Sequence, residues 1–202
     1  MNPLAHARDI TGADDLIQKG LAASRAQHVD EALALFQEAA RLVPESGLPH
    51  FLIGAELAQL RRMDEAEMAY ANAVLLAPSL DMARYQLGLI QFTSGRAALA
   101  LVTWGPLFQH PPDSALQRIV HGFAALAQDD FPAATACFRE GMALNLDNAA
   151  LNRDLQLMLD RIAAHTHAGA PISDPPAPDE TSADGQELHV LLSNYQQRGP
   201  LH

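Results

Sequence analysis

Residues 47–80 read GLPHFLIGAELAQLRRMDEAEMAYANAVLLAPSL, and the spacing inside this stretch decides the fold. Gly54 is followed twelve positions on by Ala66, four later by Tyr70 and eight later by Pro78. An alanine and an aromatic four apart share one helix face, and a small residue on that face lets a neighbouring helix approach closely. The spacing predicts a first helix through Gly54, a short charged turn, a second helix through Tyr70, and a proline that ends it. Outward from this stretch the same register recurs every thirty-four residues. Gly20, Gly88 and Gly122 repeat the glycine, Ala32, Ala100 and Ala134 the alanine, and Phe36, Trp104 and Phe138 the aromatic. Pro44 and Pro112 repeat the proline, and the last copy has Leu146 instead.

One helical pair cannot bury its own apolar face, whereas stacked copies bury a continuous core. On these residues, 13–146 resembles four tetratricopeptide (TPR) repeats, residues 13–46, 47–80, 81–114 and 115–146, with Ile53, Gly54, Leu57, Ala66, Tyr70, Ala73 and Pro78 all in phase in the second. The resemblance implies an all-α fold, a right-handed superhelix of antiparallel helix pairs. Three positions depart from the pattern: Lys19 precedes the first glycine, Gln91 replaces a large apolar residue, and Gly141 replaces an alanine.

Outside the repeats, residues 1–12 read as a short polar, flexible lead. Helices are predicted at 13–26, 29–42, 47–60, 63–76, 81–93, 96–110, 114–127 and 131–144. Asp14 and Asp15 fall in the first turn of the first helix, and Ser46 at an N-cap. Gly105-Pro106 falls inside the sixth helix, where proline removes a backbone bond, so a kink or early end is expected there. Residues 147–167 carry Leu151, Leu155, Met158 and Ile162 in one stripe backed by Arg153, Asp154, Asp160 and Arg161, as a capping helix requires. Residues 168–185, rich in Pro, Asp and Ser, read as a flexible linker. In the tail, 186–202, Leu188, Leu191, Leu192 and Tyr195 lie at i, i+3, i+4 and i+7, which fits a short amphipathic helix, although an extended segment is the other reading.

The chain has 202 residues, 49% of them hydrophobic, and a formal charge of −11 without any Lys/Arg run. That balance argues against nucleic acid and against an anionic membrane surface as partner. Residues 1–12 lack the apolar run of a signal peptide and no segment is long enough to span a membrane, so a cytoplasmic protein is expected. Cys137, the single cysteine, reads as a small packed hydrophobe. His121 lies in the packing register beside Gly122. His165 and His167 have no Cys or carboxylate cluster at ligand spacing and read as a solvated helix end. Phosphate loops and serine elbows are absent, and Asp129-Asp130 reads as turn chemistry. No enzyme, metal or cofactor is expected.

A second stripe on the first helix of each pair is left over from the packing register: Ile17 and Leu21; Phe51, Ala55 and Ala58; Tyr85, Leu89 and Phe92; Ile119, Phe123 and Leu126. The resemblance implies that this face lines a concave groove where a peptide binds. The other reading is that part of the stripe is core, covered by neighbouring helices or by the tail. TPR adaptors that hold the acidic C-termini of heat-shock proteins have a clamp of Lys, Asn and Arg on these faces. Here Ile17, Leu21 and Leu52 stand in its places, so that clamp is not expected. An apolar groove suits an amphipathic helix or an extended peptide with apolar anchors. This is the manner of TPR-type secretion chaperones, of which the chain has no specific signature. The expected function is an adaptor or chaperone-like interaction module. The alternative is a self-assembling module whose tail docks on a second copy. The linker reaches roughly 20–25 Å, so the tail could be an autoinhibitory plug, a permanent part of the fold or a hook into a neighbour.

Overall fold

The computed structural model describes residues 3–168, with side chains described from Ile10 to Thr166. Among the described residues the regular structure is all helical: α1 Pro3–Arg25, α2 Val29–Leu42, α3 Gly47–Gln59, α4 Met63–Leu76, α5 Asp81–Thr93, α6 Ala97–Thr103, a 3-10 helix Gly105–Gln109, α7 Ala115–Leu126, α8 Phe131–Leu144 and α9 Ala149–Ala168. Two compact units divide between Ile90 and Gln91, within α5. Of the linker expected at 168–185, Ala168 ends α9 instead, and the rest of it and the tail, with Leu188, Leu191, Leu192 and Tyr195, lie outside the described residues.

In the first unit, α1 packs on α2 and α3 on α4. The reason is the register found in the sequence. A Cβ added at Gly20 would stand 2.4 Å from the Phe36 ring, and one at Gly54 would stand 2.7 Å from Tyr70. Only glycine lets each second helix press its aromatic onto the first. Ala32, Phe36, Ala66 and Tyr70 accordingly sit in one buried cluster with Ile53, Leu57 and Leu87. In the second unit α7 packs on α8, and a Cβ at Gly122 would stand 2.5 Å from Phe138. Gly141, the departure from alanine, leaves room for Ile119, whose Cγ1 would be 2.7 Å from an added Cβ. Gln91, the other departure, is buried, and its Oε1 accepts from the Thr103 hydroxyl at 2.6 Å. Its cost of burial is offset by that bond.

Every turn within a helical pair uses one residue in the left-handed region, again at the thirty-four-residue interval: Gln27 (φ 62°), Arg61 (61°), Gly95 (80°) and Asp129 (57°). The next residue donates its N–H back across the helix end, His28 to Ala23 O at 2.9 Å, Arg62 to Leu57 O at 2.9 Å, Arg96 to Gln91 O at 2.9 Å and Asp130 to Ala125 O at 3.0 Å. This closure satisfies a terminal carbonyl and fixes the reversal. Asp130 then caps α8, its carboxylate accepting from Ala133 N at 3.0 Å.

Several local expectations change. The lead is not loose throughout, since α1 already begins at Pro3. Proline is tolerated in a first turn, and Leu4, Ala5, Ala7 and Arg8 are good helix formers. Asp14 and Asp15 therefore lie mid-helix, where Asp15 pairs with Lys19 at 2.6 Å on an exposed face. Ser46 holds the N-cap position of α3 without a side-chain cap bond. The sixth helix stops at Thr103 and continues as the 3-10 helix with Pro106 near its start. At the end of the last repeat, where proline is replaced, an asparagine network makes the joint. Asn145 Nδ2 donates to Asn148 O at 2.8 Å and Asn152 Oδ1 at 2.7 Å, and Asn152 Nδ2 donates back to Asn145 O at 3.0 Å. Beyond it α9 buries Leu151, Leu155, Met158, Leu159 and Ile162 and packs on α8.

Candidate functional site

The leftover stripe has different fates in the two units. On α7 it is core: Ile119 is 0% exposed, Phe123 1% and Leu126 4%. The cause is an aromatic cluster in which Phe123 lies 5.1 Å from Phe92, 5.2 Å from Trp104 and 5.0 Å from Phe138 by ring centroids. Phe92 also stacks on Trp104 at 5.9 Å. Offset and edge-on rings at these separations are mutually attractive, so the stripe is spent on cohesion. Tyr85 and Ile17 are buried as well. These six residues, expected to line a groove, are thus held within the packed interior.

The first unit keeps an accessible face on α3. Leu48 is 41% exposed, and Phe51, Leu52, Ala55 and Ala58 are half-buried. At 1.5 Å per residue, Leu48 to Ala58 spans about 15 Å of helix. Phe51 and Leu52 stand at its broad end, while Ala55 and Ala58 leave a low stretch beyond them. Leu21 on α1 and Leu52 on α3 both pack against two clusters, that of Ala13, Ile17, Ala39 and Val43 and that of Phe36, Ile53 and Tyr70. They form a fixed floor joining the two helices. Phe51 is steadied by the Tyr70 ring at 5.9 Å. Leu89, on α5, is half-buried. Leu48 was not among the residues expected from the sequence. The signal for it was present, because it lies seven residues before Ala55 and so shares its helix face.

The face is apolar; elsewhere on α1 and α3, Gln18, Arg25 and Gln59 are exposed and Glu56 is buried. One titratable group of α3 is perturbed. Burial pushes the His50 imidazole below its ordinary value. Behind the face, burial and then the charge of Glu56 push the Tyr70 phenol up.

Other singled-out groups fall elsewhere. His121 is exposed, a correction to its expected packed position, with its ring 5.0 Å from that of Phe108. Cys137 is half-buried, and its thiol is pushed up, chiefly by burial. His165 is exposed near the end of α9, its ring 5.2 Å from Phe131. Among the described residues, no group of three or more His, Cys, Asp and Glu is placed to hold a metal ion. Nor is any described helix long and apolar enough to cross a membrane.

No protein-family profile matches the chain, and no curated protein matches it. Solved structures do. MamA 41-end from Desulfovibrio magneticus RS-1 is 18% identical, with 93% of this chain and 97% of that chain covered and a TM-score of 0.55. YrrB, described as a TPR protein with an unusual peptide-binding site, is 14% identical over 90% of this chain and 85% of its own, with a TM-score of 0.54. A chain of the APC/C hetero-tetramer Cut9-Hcn1 is 15% identical, and the match covers 93% of this chain and 40% of that one at a TM-score of 0.60. At such identities the likeness establishes the fold. The chain has the all-α tetratricopeptide-repeat fold, built from antiparallel helix pairs.

Proposed function

We propose that the chain is a protein-interaction module that takes an apolar or amphipathic segment of another protein on the α1/α3 face of residues 1–90. The observation that carries this reading is Leu48, 41% exposed, at the head of a line of half-buried apolar side chains on α3, while the matching line on α7 is buried. Apolar side chains held accessible on a rigid helix pair form a docking surface at little conformational cost. The small Ala55 and Ala58 leave space for a ligand's side chains beside Phe51 and Leu52. With a net charge of −11, the chain favours encounter with a segment whose apolar anchors are flanked by Lys or Arg. The peptide-binding site for which YrrB is described fits this reading.

The test is selection of ligands from a displayed random-peptide library on the full chain, followed by titration of the selected peptides. They should carry two or more apolar residues at helical or alternating spacing. Leu52→Glu should weaken them by at least about tenfold, roughly the 1.4 kcal/mol expected for loss of one anchor contact. Equal binding by wild type and variant would refute the assignment.

A further inference from the structure

Between α7 and α8 lies an open pocket of about 360 Å³. Its floor is made of small groups, among them Ala125, Ala133 and Cys137, and its rim includes Arg118, His121 and Asp130. The volume is at the low end of ligand sites and suits two or three apolar side chains rather than a whole helix.

Where the chain leaves the described structure bears on what fills this pocket. α9 packs on α8 and runs back along it, so that the His165 ring lies 5.2 Å from Phe131, the first residue of α8. Phe131 directly follows Asp130 of the rim. His165 thus lies beside the start of α8, next in sequence to a pocket residue, and thirty-four residues follow Ala168. Their densest apolar group is Leu188, Leu191, Leu192 and Tyr195. Twenty residues separate Ala168 from Leu188, and a chain of that length would reach roughly 22–27 Å as a coil. Ala133 and Cys137 lie roughly 200° and 240° round α8 from Phe131, so the path crosses about one helix diameter, roughly 10–12 Å. The tether is about twice as long as that crossing requires.

We propose that the segment Leu188–Tyr195 docks in the α7/α8 pocket of its own chain, with Leu191 and Leu192 against the alanine and Cys137 floor. Docking there covers apolar surface of both partners, and no residue of the α3 face lines the pocket. The assignment does not depend on the function proposed for that face.

Cys137 is the only cysteine and lines the pocket, so its thiol reports occupancy directly. The experiment compares the rate of maleimide labelling, at one fixed pH, in the full chain and in its Leu191→Asp/Leu192→Asp variant, both checked for equal helicity. A tether gives an effective concentration of about a millimolar, so a segment with an intrinsic Kd near 100 μM leaves about one pocket in ten open. Labelling should then be about tenfold slower in the wild type at any protein concentration, and a free peptide of residues 184–199 should restore protection to the variant. Equal rates in the two proteins would overturn the proposal. Protection that grows with protein concentration would also overturn it, and would place the tail on a second copy instead.

Discussion

The α-carbon of Gly54 lies under the Tyr70 ring so closely that a methyl group there would stand 2.7 Å from Cδ1 and 2.8 Å from Cε1. Gly20 with Phe36 and Gly122 with Phe138 repeat the relationship. Gly54→Ala gains about 1 kcal/mol of helix propensity but forces an aromatic ring out of a packed site, at a cost of roughly 1–3 kcal/mol. Urea unfolding should show a net loss of stability. Gly105, where an added Cβ meets nothing within 4 Å, is the control, and Gly105→Ala should cost nothing measurable.

The turns give a second prediction. Gly95, at φ 80°, holds a backbone conformation that an alanine enters only with strain, so Gly95→Ala should destabilise by about 1–2 kcal/mol. Arg61→Gly, at φ 61°, relieves such strain while adding freedom to the unfolded chain, and the two terms are of similar size. That variant should match or exceed the wild type in thermal unfolding.

Tyr70 and His50 contribute to the pH dependence in opposite directions. Tyr70 has its phenol pushed above the ordinary value of about 10, so the folded state resists ionisation. Stability is full below pH ~10 and falls as pH rises above it. Tyr70→Phe should remove that alkaline loss. His50 is shifted the other way, so its contribution is full above pH ~6.5 and is lost as pH falls through the folded value. As pH falls below ~6.5, His50→Gln should flatten the stability profile measured by denaturant titration.

The repeat register, the helix pairs and the small-against-aromatic packing were legible because they are fixed by spacing, and Gly54 with Tyr70 can be read from residues 47–80 alone. The fate of the leftover stripe was not. Phe123 and Phe51 occupy comparable faces of α7 and α3 and carry the same side chain, yet one is core and the other half-exposed. A periodic stripe shows that a face is apolar, whereas what covers it depends on neighbours such as Trp104 and Phe138. The left-handed turns were partly legible. Gly95 marks one, but nothing in a glutamine or an arginine announces a positive φ at Gln27 or Arg61. The early start of α1 was missed because residues 3–12 lack the repeat's periodicity while still being good helix formers.

The same contrast predicts how the two stripes respond to truncation. Phe123→Ala removes a ring that is 1% exposed and touches three others, and should cost about 3–5 kcal/mol in urea unfolding. Phe51→Ala, from a half-buried site, should cost clearly less and leave the fold intact.

The α1/α3 face is tested most directly by methyl NMR of the full chain titrated with a peptide from the library selection. Shifts should be concentrated on Leu21, Leu48, Leu52, Ala55 and Ala58, with the methyls of Ile119 and Leu126 unmoved. Shifts centred on the α7 or α8 methyls, with those of α3 silent, would contradict the assignment of the α1/α3 face.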